Sequence, residues 1–510
     1  MYGLKYLKIV TLVFITLPVF AQDVNEAYNF SNNVVQGTAR SIGFGNALGS
    51  VGGDFSSLSV NPAGLGIYRS SEMSITPSLK INGASSDYLG NATMENHVAL
   101  NVSHFGFVFT NAPKGKRYDN RNWKTVSFAF GMNKTADFNH DYTYSGKNNT
   151  SSASQAFESD ANLNAGNDSI PGTLAFLGAA SGLLNFSNGK FSTVVPFNGG
   201  INQQKIAQTR GGINEYVLSL GGNYKEKLML GITLGIPSVN YQYNSTYTES
   251  VSAGNTNNPD NFSSFTYGKS LNITGSGLNL KMGMIYKLTS NLRIGAAFHS
   301  PTYYNLSETF DPSIAATVNG TTYGVTSADY QIGSQFNYSL ITPWKGILSA
   351  TYMIGNIGFV TADYEYVDYQ SMKYQFPTGT DGVTGNTFLQ EENAINQQIK
   401  SEYKAASNLR LGAELKMNKV FMLRAGIGYY GNPYQSNEAS VQRIDMSLGI
   451  GFHFNHFFTD FGLVHSEYQV TEAPYSIDYT GVVSGLQATI PTAKISMQLN
   501  NIAWTVGFKF

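Results

Sequence analysis

Histidines are the side chains of this sequence best suited to metal or acid–base chemistry, because the chain contains no cysteine. His453, His456 and His465 form the tightest group among the seven. Their imidazoles could form a weak metal site, or the first two could flank a solvated turn between strands. The absence of cysteine excludes disulfides, thiolate metal sites and cysteine nucleophiles. We expect the turn, and no bound metal.

Gly43, Gly45 and Gly49 resemble the glycine pattern of a dinucleotide-binding loop, but one spacing is a residue too long. No hydrophobic strand precedes them, and no strand–helix–strand unit surrounds them. Phosphate-binding loops, zinc-protease helices and nucleophile elbows do not occur in the sequence. The formal net charge of −1 argues against a nucleic-acid partner. The sequence therefore predicts a protein without enzyme activity and without a cofactor.

The first 21 residues have the features of a secretory signal peptide. Lys5 and Lys8 form a positive start, residues 9–20 are apolar, and Ala21 ends a small-residue cleavage motif. As a membrane anchor this apolar run would span about 18 Å, short of the roughly 30 Å hydrocarbon core. We therefore predict that residues 1–21 are removed and that the mature chain is exported.

The composition is unusual for a soluble protein. Charged residues make up 13% of the chain, aromatic residues also 13%, and there are 53 glycines. Ordinary globular domains have about 25% charged residues. No run of 18 apolar residues follows the signal peptide, so no transmembrane helix is predicted. The composition is typical of strands that face lipid on one side and a polar lumen on the other, although a secreted, glycine-rich β-sandwich or adhesin would share it.

Strict alternation of apolar and small or polar residues marks individual strands, because successive side chains point to opposite faces. At the C-terminus the residues predicted to face lipid are Ile502, Trp504, Val506, Phe508 and Phe510. The same alternation recurs at residues 292–299, 409–416 and 444–454. The residues between them, which include several charged ones, would face the lumen. Charged residues predicted to form a polar lumen network are Lys281, Arg293, Asp363, Glu365, Arg410 and Arg424.

Fourteen segments show this pattern, an even number, as in single-chain bacterial barrels. They are residues 73–82, 98–110, 124–145, 211–223, 227–246, 266–287, 291–309, 333–353, 357–374, 402–417, 420–432, 440–454, 457–470 and 499–510. Mostly long connections are predicted at 83–97, 146–210, 247–265, 310–332, 375–401, 433–439 and 471–498. They alternate with tight turns, as extracellular loops alternate with periplasmic turns; only the connection 111–123 is longer than a turn. The prediction is an all-β fold, a 14-stranded antiparallel transmembrane β-barrel.

The long connection at 146–210 contains an apolar stretch, residues 173–186, that is too short to span a membrane and is suited to a helix. Its large apolar residues would be costly to expose on an external loop. They are Leu174, Leu177, Leu184 and Phe186. We expect them to pack on the barrel rim, on a captured hydrophobic ligand, or on both.

Residues 37–65 are rich in glycine, alanine and serine and end in Asn61, Pro62, Ala63, Gly64 and Leu65. An Asn-Pro pair favours turn initiation, and Ala-Gly permits close backbone approach in a crowded lumen. A simple turn before the first strand would use the same residues. With the signal peptide and the 14 segments, however, the stretch resembles the N-terminal hatch of the outer-membrane long-chain fatty-acid transporter family of FadL/TodX type.

The resemblance implies that residues 22–70 form a hatch inside the lumen, that residues 71–510 form the barrel, and that Asn61, Pro62, Ala63 and Gly64 carry the hatch motif. It also implies passive uptake of hydrophobic molecules such as long-chain fatty acids or aromatic hydrocarbons. The ligand would be captured among external loops, pass to a lumen pocket and leave sideways near an irregular third strand. Alternation breaks at residues 131–136, which we take as that irregular stretch.

The resemblance further implies a bacterial outer-membrane location, with lipid, lipopolysaccharide and the barrel assembly machinery as partners. Phe508 and Phe510 resemble the aromatic end that this machinery recognises. A monomer is expected, since the barrel needs no partner to close its sheet. The alternatives are a general diffusion porin with an open lumen, or a non-transport barrel that acts as an adhesin or a lipid-modifying enzyme. A haem receptor is a variant of the transporter, although no histidine pair stands out as an axial ligand set.

Overall fold

The structure is a computed structural model. It describes residues 23–113, 115–164, 166–169, 173–326, 334–380, 387–436, 442–485 and 487–510. The predicted signal peptide, residues 1–21, lies outside the described residues. Among the helices of the described part, none has the length and apolar character needed to cross a membrane.

Within the described residues, 19 strands form one sheet and two more form a separate hairpin. The strands are β1 (Glu72–Tyr88), β2 (Asn91–Asn111), β3 (Trp123–Asp137), β4 (His140–Asn148), β5 (Leu184–Ser187), β6 (Lys190–Thr193), β7 (Ile201–Tyr224), β8 (Leu228–Val251), β9 (Phe262–Lys287), β10 (Leu292–His299), β11 (Tyr303–Val318), β12 (Thr321–Val325), β13 (Ser334–Ile341), β14 (Lys345–Ile354), β15 (Gly358–Asp368), β16 (Lys373–Gln375), β17 (Ala405–Lys416), β18 (Phe421–Tyr430), β19 (Arg443–His453), β20 (Phe457–Glu472) and β21 (Ala493–Lys509).

The α-helices are α1 (Val24–Ser31), α2 (Ala39–Gly43), α3 (Lys116–Asp119), α4 (Ser154–Leu163), α5 (Leu174–Ala180) and α6 (Phe388–Glu402). The 3₁₀ helices are Phe55–Ser59, Pro62–Ile67, Asn167–Ser169, Phe197–Gly199, Tyr369–Ser371 and Tyr479–Gly481. The predicted helix in the stretch 173–186 is confirmed by α5.

Several strands are consecutive pieces of one wall strand. Both β3 and β4 pair with β7, and both β10 and β11 pair with β9. Next around the wall, β14 pairs with β10 and β13 with β11, and then β15 follows β14 and β16 follows β13. Each set counted once gives 14 antiparallel wall strands, which confirms the predicted fold.

The barrel closes between its first and last strands. β21 pairs antiparallel with β1 from Glu72 opposite Lys509 to Asp87 opposite Lys494. Phe510 then donates its N–H to the carbonyl oxygen of Ser71 at 3.0 Å and accepts a hydrogen bond from Ser71 N–H at 3.1 Å. The closed sheet has no free edge here, as a membrane-spanning sheet requires.

The alternation predicted for the last strand is confirmed. Ile502, Trp504 and Phe508 are exposed on the outer face, whereas Ala503 and Thr505 between them are buried on the lumen side. Most apolar side chains predicted to face lipid on β10, β17 and β19 are likewise exposed. Exposed apolar side chains on the outside of a closed barrel are stable only against lipid, so these faces mark the membrane belt.

The strands continue well beyond the predicted segments at the loop end of the barrel. Residues 83–97, predicted as a long connection, are instead mostly paired strand, with Tyr88 opposite Asn91. The turn itself is Leu89-Gly90, where both residues have positive φ, at 53° and 83°. The prediction was wrong because polar strand residues beyond the membrane lack the apolar alternation that identified the other strands. The connection 111–123 is long because it contains α3.

The longest strands are β7, β8 and β9, with 24, 24 and 26 residues. Since roughly ten residues cross a membrane, they form an extended wall at the loop end. The cap, which consists of α4, α5 and the β5–β6 hairpin, packs on this wall through a hydrophobic cluster. Two buried carboxylates hold the cap: Glu249 of β8 accepts from Ala153 N–H at 2.8 Å, and Glu158 of α4 accepts from Val483 N–H, in the connection between β20 and β21, at 2.6 Å.

Residues 23–70, called the N-terminal segment below, precede β1 and occupy the lumen. Most of their side chains are buried, and they contact strands around the whole wall. Phe44, Leu48 and Val51 pack in one cluster with lumen-facing residues of β10, β14 and β15. The barrel interior at this level is therefore filled by protein.

Candidate functional site

Asn61 joins the N-terminal segment to two wall strands. Its side-chain Nδ2 donates to the carbonyl oxygens of Gly49, Met284 and Ala296 at 2.6, 3.1 and 3.4 Å. Its Oδ1 accepts a hydrogen bond from Ala63 N–H at 3.1 Å. Met284 lies on β9 and Ala296 on β10. Because Asn61 is fully buried, each lost bond would leave a backbone group without water to replace it.

The small residues of the same motif allow close packing. Pro62 opens the 3₁₀ helix Pro62–Ile67, which Asn61 caps. Ala63 is fully buried in a cluster with residues of β8 and β9. A side chain on Gly64 would place its Cβ 2.9 Å from the Cα of Gly52, closer than such atoms can approach. The motif therefore fixes the N-terminal segment against the wall.

A ring of wall glycines receives the N-terminal segment near the turn end of the barrel. A Cβ on Gly283 would overlap the side-chain oxygen of Asn61, and one on Gly231 would overlap the carbonyl oxygen of Pro62. The glycine ring comprises Gly106, Gly131, Gly221, Gly231, Gly283, Gly295, Gly412, Gly426, Gly449 and Gly462. Many of its members are direct cross-strand partners, so they lie at one level.

Ion pairs fill the lumen beside this ring. Arg424 contacts Glu414 at 2.8 Å and Asp460 at 2.6 Å, and Arg40 of α2 contacts the same Glu414 at 3.0 Å. His453 lies 3.1 Å from Asp460. A cation from the N-terminal segment therefore completes a charge network that the strands build.

The polar lumen network predicted from the sequence is confirmed. Arg410 contacts Glu365 at 3.3 Å, and Asp363 accepts a hydrogen bond from Gly49 N–H at 2.9 Å. Lys281 forms an ion pair with a glutamate on β7. These contacts again join wall strands to one another and to the N-terminal segment.

The three histidines singled out in the sequence do not come together. His453 contacts Asp460, His456 lies 3.3 Å from the carbonyl oxygen of Lys509, and His465 lies 2.8 Å from Asn500. Among the described residues, no group of three histidine, aspartate or glutamate side chains could hold a metal ion.

The first turn of the N-terminal segment is held by tyrosine hydroxyls from the loop end. The three donors are Tyr374, Tyr403 and Tyr434, and they donate to Asp23 O at 3.0 Å, Val24 O at 3.2 Å and Asn25 Oδ1 at 3.1 Å. Tyr28 also stacks on Tyr403, with 5.7 Å between ring centroids. Three tyrosine hydroxyls at the loop end of the barrel therefore hold the N-terminal end of helix α1.

Between α1 and α2 the chain runs along the edge of β3. Val34 N–H donates to Thr135 O at 2.9 Å, and Gln36 N–H donates to Lys134 O at 2.8 Å. Lys80 of β1 donates to Gln36 Oε1 at 2.6 Å. The register of β3 shifts between Lys134 and Ala136, inside the stretch 131–136 predicted to be irregular.

A cavity of about 1400 Å³ lies between α1, the cap and the strands at the loop end. Nine tyrosines and two phenylalanines line it: Tyr28, Phe138, Tyr142, Tyr241, Tyr243, Tyr267, Phe310, Tyr430, Tyr434, Tyr468 and Tyr475. Aliphatic side chains, including Leu174, Leu271, Val470 and Met497, complete the lining. The cavity could hold an apolar ligand and offers hydroxyl groups to polar atoms.

Among the described residues, two lysines of this cavity form no ion pair with a carboxylate: Lys80, which donates to Gln36 Oε1 at 2.6 Å, and Lys269. Lys205 pairs with Glu472, and Arg443 contacts Asp445 at 2.9 Å. Lys269, in contrast, forms no ion pair with a carboxylate of the described residues, and its amino group lies 5.5 Å from the centre of the Tyr267 ring. Tyrosine lining beside an unpaired ammonium group suits an aromatic or acyl body with an anionic head.

The four candidate capture residues take different positions. Leu174 lines the cavity. Leu177 and Leu184 are buried in the hydrophobic cluster of the cap. Phe186, at the β5–β6 hairpin, is 64% exposed and packs on Phe191, with 4.8 Å between ring centroids. The cavity residues on the strands were not predicted, although tyrosines at lumen-facing positions such as Tyr241, Tyr243 and Tyr267 were a readable signal.

Beside this cavity, the backbone pairing of the barrel wall is interrupted. β2 pairs with β3 only from His104 opposite Asn133 to Asn111 opposite Val126. Beyond His104, residues 91–103 of β2 pair with β1 alone, while β3 and β4 continue along β7. Residues 91–103 of β2 form one side of this interruption, and β4 with the end of β3 forms the other. We call the contact between these two sides the seam. It is a place in the described wall where adjacent strands have no backbone ladder.

Comparisons with known proteins agree with this architecture. A family model described as outer membrane protein transport protein (OMPP1/FadL/TodX) matches residues 211–509. A FadL homologue of Pseudomonas aeruginosa is 14% identical, with 94% of this chain and 99% of that chain covered and a TM-score of 0.53. A deltaS2S3 mutant of the monoaromatic hydrocarbon channel TodX is 12% identical, with 94% and 100% covered and a TM-score of 0.52. No curated protein sequence matches the chain.

Proposed function

The chain belongs to the outer membrane transport protein family OMPP1/FadL/TodX, and we propose that it is a channel for passive uptake of hydrophobic small molecules. It is a β-barrel of the bacterial outer membrane. The observation that carries the proposal is the tyrosine-lined cavity of about 1400 Å³ above a filled lumen. The family is a transport family, and we infer that the chain catalyses no reaction.

We propose that the preferred ligand is an amphiphile with a long or aromatic apolar body and an anionic head. Burial of the body contributes about 0.8 kcal/mol per CH₂ group, which supports capture without a cofactor. Lys269 would hold the head, while Tyr267 and Leu271 on the same strand contact the body. A long-chain fatty acid fits this description. A monoaromatic hydrocarbon, the cargo named for TodX, would lack a partner for the ammonium group.

Capture from outside is assigned to the cap. Phe186 is exposed at the β5–β6 hairpin, and Leu174 faces the cavity. We propose that a ligand first contacts Phe186 and then passes Leu174 into the cavity. Leu177 and Leu184 would support this path as the cluster beneath it.

The N-terminal segment is proposed to act as the hatch, with Asn61, Pro62, Ala63 and Gly64 as its anchor. The ligand would leave sideways through the seam, because the glycine ring and the ion pairs obstruct the path straight down. Outer-membrane lipid would receive the ligand there. This route keeps an apolar molecule inside protein until it reaches a hydrocarbon phase.

The remaining partners are also proposals. Lipopolysaccharide would surround the extended wall of β7, β8 and β9 on its outer face. The barrel assembly machinery would recognise Phe508 and Phe510, which are both exposed at the closing strand. Since the sheet closes within one chain, we propose a monomer.

Ligand binding to the purified barrel tests the function. We expect a saturable complex with palmitate and at least tenfold weaker binding of hexadecane and toluene. Lys269→Met should remove this preference, whereas Lys190→Met, an exposed lysine of the β5–β6 hairpin, should leave it unchanged. Equal binding of palmitate and hexadecane by the native protein would rule out the anionic head.

Uptake and conductance separate transport from the other barrel functions. Cells that lack the protein should take up labelled palmitate more slowly, and the native gene should restore the rate. A general diffusion porin would instead give a large steady ion current in planar bilayers, and an adhesin or enzyme would leave uptake unchanged.

A further inference from the structure

The outer face of the seam lies against lipid. Leu100 is 83% exposed, and Val98 and Val102 are exposed on the same face of β2. Such side chains are stable on the outside of a membrane barrel only in the apolar belt. The alternate residues of β2, on its inner face, contact β3 and β4. A molecule that passed between the strands would therefore move directly into lipid.

The lower contact across the seam is made by side chains alone. Asn101 of β2 donates from Nδ2 to Asp137 Oδ2 at 3.1 Å and accepts at Oδ1 from Lys134 Nζ at 3.1 Å. Lys134 and Asp137 also contact each other at 3.3 Å. One asparagine thus bridges β2 to an ion pair on β3.

The upper contact is an ion cluster. His97 Nδ1 of β2 lies 3.3 Å from Asp141 Oδ2 of β4. Arg210 of β7 donates to the same carboxylate through both terminal nitrogens, with Nη2 at 2.9 Å from Oδ2. Thr93 of β2 also donates to the carbonyl oxygen of Thr143. Asp141 is therefore held on one side by β7 and reaches across to β2 on the other.

These contacts follow the antiparallel order of a normal strand pair, although the backbones have separated. Asn101 meets Asp137 and His97 meets Asp141, so four steps along β2 match four steps along the facing chain. A backbone ladder breaks only with loss of many cooperative hydrogen bonds. Side-chain contacts of this kind break separately, and each is far weaker than a whole ladder.

We propose that Asn101 and Asp141 are the gating residues of the channel, and that their contacts hold the seam shut until a ligand leaves. The proposal rests on the proposed uptake function and names the residues that control its last step. Neither side chain lines the cavity, so both act on release rather than on binding. Opening requires loss of these two contacts and of the Thr93 hydrogen bond to Thr143, and no change in the strand pairs on either side.

A reversible cross-link tests whether the seam must open. The chain has no cysteine, so His97→Cys with Asp141→Cys gives a single thiol pair across the seam. A short bis-methanethiosulfonate linker would join the two thiols, and a reducing agent would release them. The matched control is Gln208→Cys with Asn244→Cys, which joins two exposed residues that are already opposite each other in the β7–β8 ladder. Gln208 is also the strand partner of Asp141, so both links lie at one level.

The readout is transfer of a bound fluorescent fatty acid from the reconstituted barrel into surrounding lipid. We expect the seam link to reduce transfer at least tenfold, reduction to restore it, and the control link to have no effect. Normal transfer with the seam linked would overturn the proposal while leaving the uptake function intact. If the native barrel binds no fatty acid, it is the proposed function that fails.

Single substitutions test the two gating residues. Asp141→Asn and Asn101→Ala should each raise the transfer rate roughly fivefold, the factor expected from loss of one such contact. The equilibrium affinity for the fatty acid should not change. Asp87→Asn, which removes an exposed acid from the outer face of the same β1–β2 hairpin, should leave the rate unchanged. The heat-dependent shift of the barrel on gels checks that each variant is folded. An unaltered transfer rate in both folded gating variants would refute the assignment.

Discussion

The two parts of the N-terminal segment are attached to the barrel in different ways. Residues 38–67 lie against the glycine ring, where their backbone touches the backbone of the wall. Residues 23–36 are attached differently: Val24, Ala27 and Phe30 pack in a hydrophobic cluster with wall side chains, three tyrosine hydroxyls bind the first turn, and two backbone hydrogen bonds reach β3. The upper part contributes most of the N-terminal segment's contacts with the cavity, whereas Ile42 and Asn46 are the contributions of the lower part.

This difference indicates which part moves when a ligand binds. Displacement of the lower part would break buried contacts around the whole wall, including those of Asn61 and Arg40. Displacement of the upper part would break a few hydrogen bonds, each worth about 0.5–1.5 kcal/mol, and would remove Val24, Ala27 and Phe30 from their hydrophobic cluster, but it would leave the backbone contacts with the glycine ring intact. Ligand in the cavity contacts mainly the upper part, which can move without disturbing the glycine ring. The same upper part pairs with Lys134 and Thr135 beside the seam, so its movement would also free that edge of β3.

The largest effect is expected where the lower part meets the glycine ring. In Gly283→Val the new side chain would overlap Asn61 and force the 3₁₀ helix Pro62–Ile67 away from β8 and β9. Overpacking of this kind costs about 1–3 kcal/mol, and loss of the Asn61 hydrogen bonds adds to it. We expect ion conductance through the barrel to rise severalfold in planar bilayers.

Gly324→Val is the control for that substitution. A Cβ on Gly324 would have its nearest atom, the carbonyl oxygen of Ile314, at 4.0 Å, so the change needs no displacement. Its conductance should equal that of the native barrel. If Gly283→Val forms a folded barrel that stays closed, the lower part is not the fixed element of the N-terminal segment.

A smaller effect on conductance is expected when the side chain of Asn61 is shortened but the glycine ring is unchanged. Asn61→Ala leaves the carbonyl oxygens of Gly49 and Met284 without their donor, at a cost of about 1–3 kcal/mol. Conductance should show brief openings rather than a steady current. Asn29→Ala makes the same substitution in the upper part and should give no such openings. Equal behaviour of the two variants would remove the distinction between the parts.

Much of the fold could be predicted from alternation alone, because lipid selects apolar side chains at every second position of a wall strand. That signal disappears beyond the membrane, and the pairing of residues 83–97 was missed for this reason. Alternation also shows whether a residue faces the lumen or the lipid, but it does not show at which height of the barrel the residue lies. Gly412 and Gly449 were recognised as lumen-facing, yet only the cross-strand register shows that they belong to one ring.

The close packing of residues 61–64 in the lumen and the register shift of β3 were predictable because short local patterns carry them. The tyrosines that hold α1 were not, since Tyr403 and Tyr434 lie far along the chain from their partners and Tyr434 lies in a connection without periodicity. The seam contacts likewise join side chains of β2 to side chains of β3 and β4. Charge alone does not show which lumen-facing acid meets which base.

Loss of tyrosine hydroxyls should affect the upper part only. Tyr374→Phe with Tyr403→Phe removes donors to Asp23 O and Val24 O, at about 0.5–1.5 kcal/mol each. Backbone amides of α1 should exchange with solvent several times faster, while those of α2 keep their native rate. Tyr364→Phe removes a hydroxyl from the lipid face, where it bonds Ser407, and should change neither helix. Faster exchange in α2 as well would mean that the two parts move together.

The smallest effect concerns a single carboxyl group in α1. Burial raises the pKa of Glu26 well above its usual value, and the negative charges of Glu308 and Asp23 raise it further. The docked helix therefore favours the protonated acid. Docking is strongest below about pH 4, the usual range of a glutamate, and weakens as the pH rises through the raised pKa.

Glu26→Gln keeps the side chain neutral at every pH and should abolish this dependence. Between pH 5 and 8, after correction for the intrinsic rate, α1 amides of the native protein should lose protection and those of the variant should not. The α2 amides serve as the internal control, because the lower part has no such group in its contacts with the glycine ring. A pH response that persists in the variant would show that another group loosens the upper part.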